Sequence, residues 1–144
     1  MRLLILNGPN LNLLGSREPD VYGSTSLAEI EDGLRTAFPN MDFRFLQDNK
    51  EGLLVDALQQ ADADCLDGIV FNPGGYGHTS VALRDAIASI QTPVVEVHIS
   101  NVHAREDFRQ RLILSGVCKG VISGLGPKGY DLAVRSFIED SADG

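Results

Sequence analysis

Five short apolar runs, at residues 3–6, 41–47, 68–71, 93–98 and 117–123, alternate with four segments whose apolar residues recur at helical spacing. No other feature restricts the possible folds as strongly. Strands that alternate with helices build a parallel sheet covered on both faces, because each crossover lays its helix against the sheet. The runs at 3–6 and 68–71 are continuously apolar, as strands buried on both sides must be. The run at 41–47 alternates and reads as a more exposed strand. The expected fold is α/β and flavodoxin-like: three layers around a five-stranded parallel sheet of order 2-1-3-4-5.

The helix signals are local. Ser26 and Glu29 have capping-box spacing ahead of Leu27, Ile30, Leu34, Ala37 and Phe38, and Pro39-Asn40 ends that helix. Asp48-Asn49 can cap a second helix carrying Leu53, Leu54, Ala57, Leu58 and Ala61. Thr79 or Ser80 starts a third with Ala82, Leu83, Ala86 and Ile87 inward. The last carries Tyr130, Ala133, Val134, Phe137 and Ile138, with fraying expected beyond Asp140. Residues 99–116 read as a polar connection with short helical turns. At 144 residues the chain is expected to form one domain, 1–144.

Composition excludes several classes. Hydrophobic residues at 43% and charged residues at 22% are ordinary for a globular protein and argue against disorder. A net charge of −8 would repel nucleic acid or an anionic membrane, so neither is an expected partner. It does not forbid an anionic substrate, because a few local cations and N–H donors outweigh a distant field. No apolar run approaches a membrane span, and the opening residues 1–6 are too short for a signal peptide. Cys65 and Cys118 each sit in or beside an apolar run. They read as small buried hydrophobes in a reducing, cytoplasmic compartment, not as a disulfide or zinc framework.

In doubly wound sheets, ligands bind beyond the carboxyl ends of the strands. The unusual polar residues of this chain cluster there, at 7–24, 72–78 and 98–101. Residues 7–24 make a connection far longer than a strand and a helix need, carrying Asn7, Asn10, Asn12, Arg17 and Tyr22. A surface loop whose amides make only local turns is the plainer reading, but so many polar groups on one excursion favour a small-molecule site. Glu96 and His98, two apart on a strand, point to the same face. A carboxylate beside an imidazole fixes its tautomer, which makes His98 a proton donor at the site's mouth with Glu96 as its orienter. His78 precedes a helix, where an imidazolium is disfavoured, and reads as a substrate contact. Tyr22 can act as a base only beside a cation, since a phenol of pKa about 10 is only ~0.1% ionised at pH 7. Holding it ionised takes roughly 3 to 4 kcal/mol of preferential stabilisation, which one guanidinium such as that of Arg17 supplies in a water-poor site. Gly74, Gly75 and Gly77 form neither a Walker loop nor a dinucleotide fingerprint, so no nucleotide cofactor is implied.

Four stretches together resemble the type II 3-dehydroquinate dehydratases, over nearly the whole chain. They are residues 6–19 (Leu-Asn-Gly-Pro-Asn-Leu-Asn-Leu-Leu-Gly-Ser-Arg-Glu-Pro) with Tyr22-Gly23, residues 72–74 with 78–86, residues 96–106 with Phe108-Arg109, and residues 120–122 and 124–126 with Gly129-Tyr130. The resemblance implies a flavodoxin-like subunit, a dodecamer built from trimers, no metal and no cofactor. It implies loss of water from 3-dehydroquinate with anti geometry through an enolate, giving 3-dehydroshikimate. By position, Tyr22 would take the C2 proton while Arg17 keeps it ionised, and Asn10 would hold a water on the enolate oxygen. His98, oriented by Glu96, would protonate the departing C1 hydroxyl. Asn72, His78, the backbone N–H groups of Ile99 and Ser100, and Arg109 would hold the carboxylate and ring hydroxyls. Asp85 would reach a neighbouring subunit's site, and residues 16–24 would form a lid. Ser16 stands where Thr is usual, Gly75 and Gly77 where Ala and Thr are usual, and residues 110–112 replace a His- and Ser-containing stretch.

Rival readings fit less well. A phospho-acceptor receiver needs an acidic residue where Asn72 stands, and an FMN carrier needs a hydroxyl-rich loop after the first strand. A hydrolase using Ser100 and His98 lacks a nucleophile elbow. A non-catalytic binding module on the same fold remains the alternative class. The chemistry is shared between the shikimate pathway and quinate breakdown, and the sequence does not choose between them.

Overall fold

The computed structural model describes residues 1–16 and 18–138 in full and residues 139–143 as backbone. Five strands, β1 (Arg2–Asn7), β2 (Asp42–Gln47), β3 (Gly68–Asn72), β4 (Val94–His98) and β5 (Gly120–Ser123), form one sheet of order β2-β1-β3-β4-β5. Every pairing is parallel. The helices are α1 (Pro19–Tyr22), α2 (Leu27–Ala37), α3 (Glu51–Ala63), α4 (Val81–Ser89) and α5 (Lys128–Asp143). This is the flavodoxin-like order expected from the alternation.

The continuous apolar run of β1 divides between two cores. Leu3 and Ile5 pack with Ile30 and Leu34 of α2 and with Val134 and Phe137 of α5. Leu4 and Leu6 face the other way, onto Leu54 and Leu58 of α3 and Leu83 and Ile87 of α4. A strand with this side-chain period can bury both faces only if helices cover both, and each buried leucine then contributes about 1.5–3 kcal/mol. β2 lies at the edge, and its alternating sequence buries one face only partly.

The helix starts follow from side-chain chemistry. Ser26 accepts the Glu29 N–H at 3.1 Å, and Ser80, rather than Thr79, accepts the Leu83 N–H at 3.0 Å. The start of α3 differs from expectation. Lys50 holds the cap position without a side-chain bond, and Asp48 accepts the Lys50 N–H at 2.7 Å. The Asn49 carboxamide oxygen instead accepts the Asn10 N–H at 3.0 Å, so it pins the long loop rather than a helix.

Other expectations are corrected. Ala37, Leu53 and Ala82 are exposed, because each helix lays a narrower stripe on the sheet than its apolar residues suggest. Residues 115–117 make a 3-10 turn, and the fifth strand begins only at Gly120. The last helix runs on to Asp143. The long loop contains the one-turn α1, with Pro19 at its first position. Cys65 is exposed at φ 57, the left-handed residue that turns the chain out of α3 toward β3, and Cys118 is half-buried.

The loops after β1 and β3 meet through their backbones. The Gly8 N–H donates to the Asn72 carbonyl at 2.8 Å, and a Cβ on Gly8 would lie 2.5 Å from the Pro73 carbonyl oxygen. Only glycine permits that approach, which brings two of the three polar segments together.

Candidate active site

A cavity of about 170 Å³ opens at the carboxyl ends of β1, β3 and β4. Asn10, Tyr22, Asn72, His78, His98, Ile99, Ser100, Arg105 and Arg109 are among its lining residues. Nine of the eleven site residues inferred from sequence can be placed here: eight line the cavity, and Glu96 lies directly behind His98. Asp85 sits exposed on α4 and does not line this cavity. Arg17 lies outside the described residues.

Each polar group is held from behind. Asn10 adopts φ 70, a conformation that asparagine tolerates better than most side chains, with its N–H on Asn49. Of the three loop amides, only Asn10 faces the cavity. Asn12 is exposed, and the Asn7 carboxamide is buried, accepting the Tyr130 O–H at 2.5 Å. Tyr130 in turn accepts a bond from the Asn72 carboxamide at 2.9 Å, and the Asn72 oxygen accepts the Gly74 N–H at 3.1 Å. Burial pushes the Tyr130 hydroxyl far above the ordinary phenol range, which keeps it a neutral bridge between the two amides. The carbonyls of His98, Ile99 and Ser100 accept bonds from Gly124 N–H, Gly126 N–H and Ser123 Oγ, so the turn after β4 is fixed by the turn after β5.

His98 is 6% exposed, and its Nε2 lies 2.5 Å from Oε2 of Glu96, which has no exposed surface. That pairing leaves Nδ1 as the ring nitrogen available to a ligand. The His78 ring is 6.1 Å from that of His98, centre to centre. Its Nδ1 is 3.0 Å from the Arg111 carbonyl, which can only accept, so Nδ1 carries the proton and a neutral ring offers Nε2 as an acceptor. Burial, more than any neighbour, holds the His78 pKa below its ordinary value, with the charges of His98 and Arg109 acting the same way. Sequence reasoning reached the same direction from the helix terminus; desolvation is the larger cause.

The residue that sequence reasoning missed is Arg105. Its Nη1 donates to the Tyr22 hydroxyl oxygen at 2.8 Å and to Ser100 Oγ at 3.3 Å, and its guanidinium lies 5.2 Å from the Tyr22 ring centre. The need of Tyr22 for a cation was visible in the sequence; an arginine 83 positions away was not an obvious source. Arg109 pairs with Glu106 and lies against Phe108, and its hydrogen bond, more than its charge, holds the Glu106 carboxyl below its usual range. The cavity therefore gathers two guanidiniums and two imidazoles in a chain of net charge −8. Among the described residues, no group of three or more His, Cys, Asp or Glu side chains could hold a metal ion. No helix among them is long and apolar enough to cross a membrane.

Residues 1–138 match the family model described as dehydroquinase class II. The chain belongs to this family. It is 55% identical to the 3-dehydroquinate dehydratase of Exiguobacterium sp., over 96% of this chain and 95% of that one. It is likewise 55% identical to the 3-dehydroquinate dehydratase of Bacillus pumilus, over 95% and 94% of the two chains. Among solved structures, the type II dehydroquinase of Butyrivibrio crossotus superposes with a TM-score of 0.93 at 42% identity, covering 95% of this chain and 97% of that one. A class II dehydroquinase thus has its polar cavity where the strand order places ligands, at the carboxyl edge of a 2-1-3-4-5 sheet.

Proposed function

We propose that this chain is a 3-dehydroquinate dehydratase, a hydro-lyase that removes water from 3-dehydroquinate to give 3-dehydroshikimate in the shikimate pathway. The observation that carries the chemistry is a pair of partnered groups in one cavity: Tyr22 with a guanidinium on its oxygen, and His98 with a carboxylate on its Nε2. A proton beside a ketone needs a base, and a hydroxyl leaving from the neighbouring carbon needs an acid.

In this reading Tyr22 takes the C2 proton. The Arg105 guanidinium stabilises negative charge on the phenol oxygen, beside the role assigned to Arg17 from sequence. Charge then moves to the substrate's carbonyl oxygen as an enolate, near a water held by Asn10. His98 donates from Nδ1 to the C1 hydroxyl, which departs as water. The ring enters the step as an imidazolium paired with the Glu96 carboxylate, and loss of its Nδ1 proton leaves it neutral with Nε2–H still on Glu96. Asn72, His78, Arg109 and the backbone N–H groups of Ile99 and Ser100 hold the substrate carboxylate and hydroxyls. The cationic lining supports an anionic substrate despite the acidic chain.

Asp85 acts in the cavity of a second copy in this reading, within a cytoplasmic dodecamer built from four trimers. The exposed place of Asp85 on α4, close to Val81 at 61% exposure, is consistent with a surface that another subunit covers.

The deciding experiment follows the ultraviolet absorbance of the conjugated enone when the purified protein meets 3-dehydroquinate, with Tyr22→Phe in parallel. Turnover by the wild type and its near-loss in Tyr22→Phe is the expected result. Turnover by both would remove Tyr22 from its role. Ligand binding without turnover by the folded wild type would make the chain a binding module.

A further inference from the structure

Glu96 is fully enclosed, and His98 occupies only one of its carboxylate oxygens. The other oxygen, Oε1, accepts the Ser115 hydroxyl at 2.7 Å. A carboxylate has room for about four hydrogen bonds, and a buried oxygen left without a donor carries its full desolvation cost. The second nearby group is Cys118, whose sulfur is 4.0 Å from the same oxygen. A thiol at that distance is a weak donor, and burial together with the Glu96 charge pushes it up to about 12, so it stays protonated and contributes no charge.

We propose that Ser115 is a positioning residue for the acid: by fixing the far oxygen of Glu96 it fixes the carboxylate plane, and through it the ring of His98. This inference rests on the assignment of His98 as the proton donor.

The serine is not a loose surface hydroxyl that happens to reach inward. It opens the 3-10 turn Ser115–Val117, and its neighbour Leu114 has no exposed surface. Just ahead, the Ile113 N–H donates to the Gly77 carbonyl at 3.0 Å, and the Ile113 carbonyl accepts from Arg84 Nε at 3.0 Å. Gly77 itself lies under the acid: a Cβ there would come within 3.1 Å of His98 Cε1 and 3.5 Å of Glu96 Oε2. The segment that delivers the Ser115 hydroxyl is therefore bonded to the backbone against which the His98 ring rests. The ring is held from below by Gly77 and from behind by Glu96, and Ser115 is the hydroxyl that sets where Glu96 stands.

The mechanism needs Glu96 to do more than be present. Its Oε2 must meet Nε2 squarely so that Nδ1 faces the leaving hydroxyl. A carboxylate free to rotate about its last torsion still pairs with the ring, but in several geometries, and an error of about 1 Å in such a constellation is enough to cost roughly a hundredfold in rate. The loss should fall on the chemical step and not on substrate binding, since neither Ser115 nor Glu96 lines the cavity.

The test compares Ser115→Ala with Ser115→Thr, which keeps the hydroxyl. Expected is a fall in kcat of about tenfold or more in Ser115→Ala with KM changed less than about twofold, and recovery of most of kcat in Ser115→Thr. A second readout needs no turnover: the Nε2–H proton of His98, seen by nitrogen-edited NMR of the imidazole, should exchange with solvent faster in Ser115→Ala than in the wild type. Should Ser115→Ala not fold, Ser115→Cys, similar in shape but a weak donor, carries the same two expectations. A folded variant with wild-type kcat and unchanged Nε2–H exchange overturns the proposal, as does a rise in KM with kcat intact. A wild type that does not act on 3-dehydroquinate would overturn the proposed function instead, and the exchange rate alone would then decide whether Ser115 fixes the His98 ring.

Discussion

Tyr22 reaches its charged partner from the other half of the chain. Arg105 donates to the phenol oxygen and to Ser100, so one guanidinium joins the long loop to the turn after β4. Arg105→Ala removes a charge-assisted bond, and such bonds contribute about 1.5–3 kcal/mol, so kcat should fall roughly ten- to a hundredfold. Steady-state kinetics on the folded variant checks this, and unaltered kcat would separate Arg105 from the chemistry. His78 makes a prediction about pH. Unfolded, it protonates near its ordinary value of 6.5, whereas in the fold burial holds protonation to lower pH. The unfolded chain therefore binds more protons in that window, and stability falls as pH drops from 6.5 through the lowered value. His78→Gln should flatten this part of a plot of Tm against pH, while the fall at lower pH, where carboxylates such as Asp62 and Asp64 protonate, should persist. At this scale the sequence was partly legible. The residue types and their clustering pointed to the site, but Asn7, Asn10 and Asn12 looked equivalent, and only the fold turns one into the cavity, one into the core and one to solvent.

Elements were easier to read than residues, because periodicity reports burial directly. The doubly covered β1 and the half-covered β2 follow from continuous and alternating apolar patterns. The fifth strand was read three residues early, since Val117 and Cys118 look like strand residues but belong to the turn that brings Ser115 under Glu96. A local apolar run cannot tell whether its residues face a sheet neighbour or a buried carboxylate. Asn49 shows the same limit, because its partner Asn10 is 39 positions away. Two substitutions test how the elements carry the site. Leu58→Ala on α3, at 0% exposure, should cost about 2–5 kcal/mol in denaturant unfolding with little change in KM. Gly8→Ala should do the reverse in kind. Its Cβ would meet the Pro73 carbonyl at 2.5 Å, forcing two cavity loops apart, so activity should fall by more than the loss of stability explains. Equal effects on both in the Gly8 variant would show that the loops move together.

Over the whole molecule, charge and accessibility are unevenly distributed. The chain carries −8, yet the cavity collects Arg105, Arg109, His78 and His98. The overall fold was legible because alternation and handedness leave few topologies, while the local reversal of charge depended on long-range contacts that no local pattern shows. The two thiols differ in the same way. Cys65 is exposed, whereas Cys118 is half-buried and pushed up to about 12. At pH 8 a neutral thiol reagent should modify one cysteine of the native protein and two after denaturation, read by mass spectrometry. Modification of both at equal rates would show the Ser115–Cys118 turn to be open. Tyr130 carries a consequence of another kind. Its hydroxyl, carried on the first turn of the last helix, joins carboxamides at the ends of two central strands. The C-terminal helix is thereby a handle on the floor of the cavity. A protein engineer seeking to retune substrate fit without altering any group that meets the ligand could do so from α5, a segment whose outward face looks like mere scaffolding.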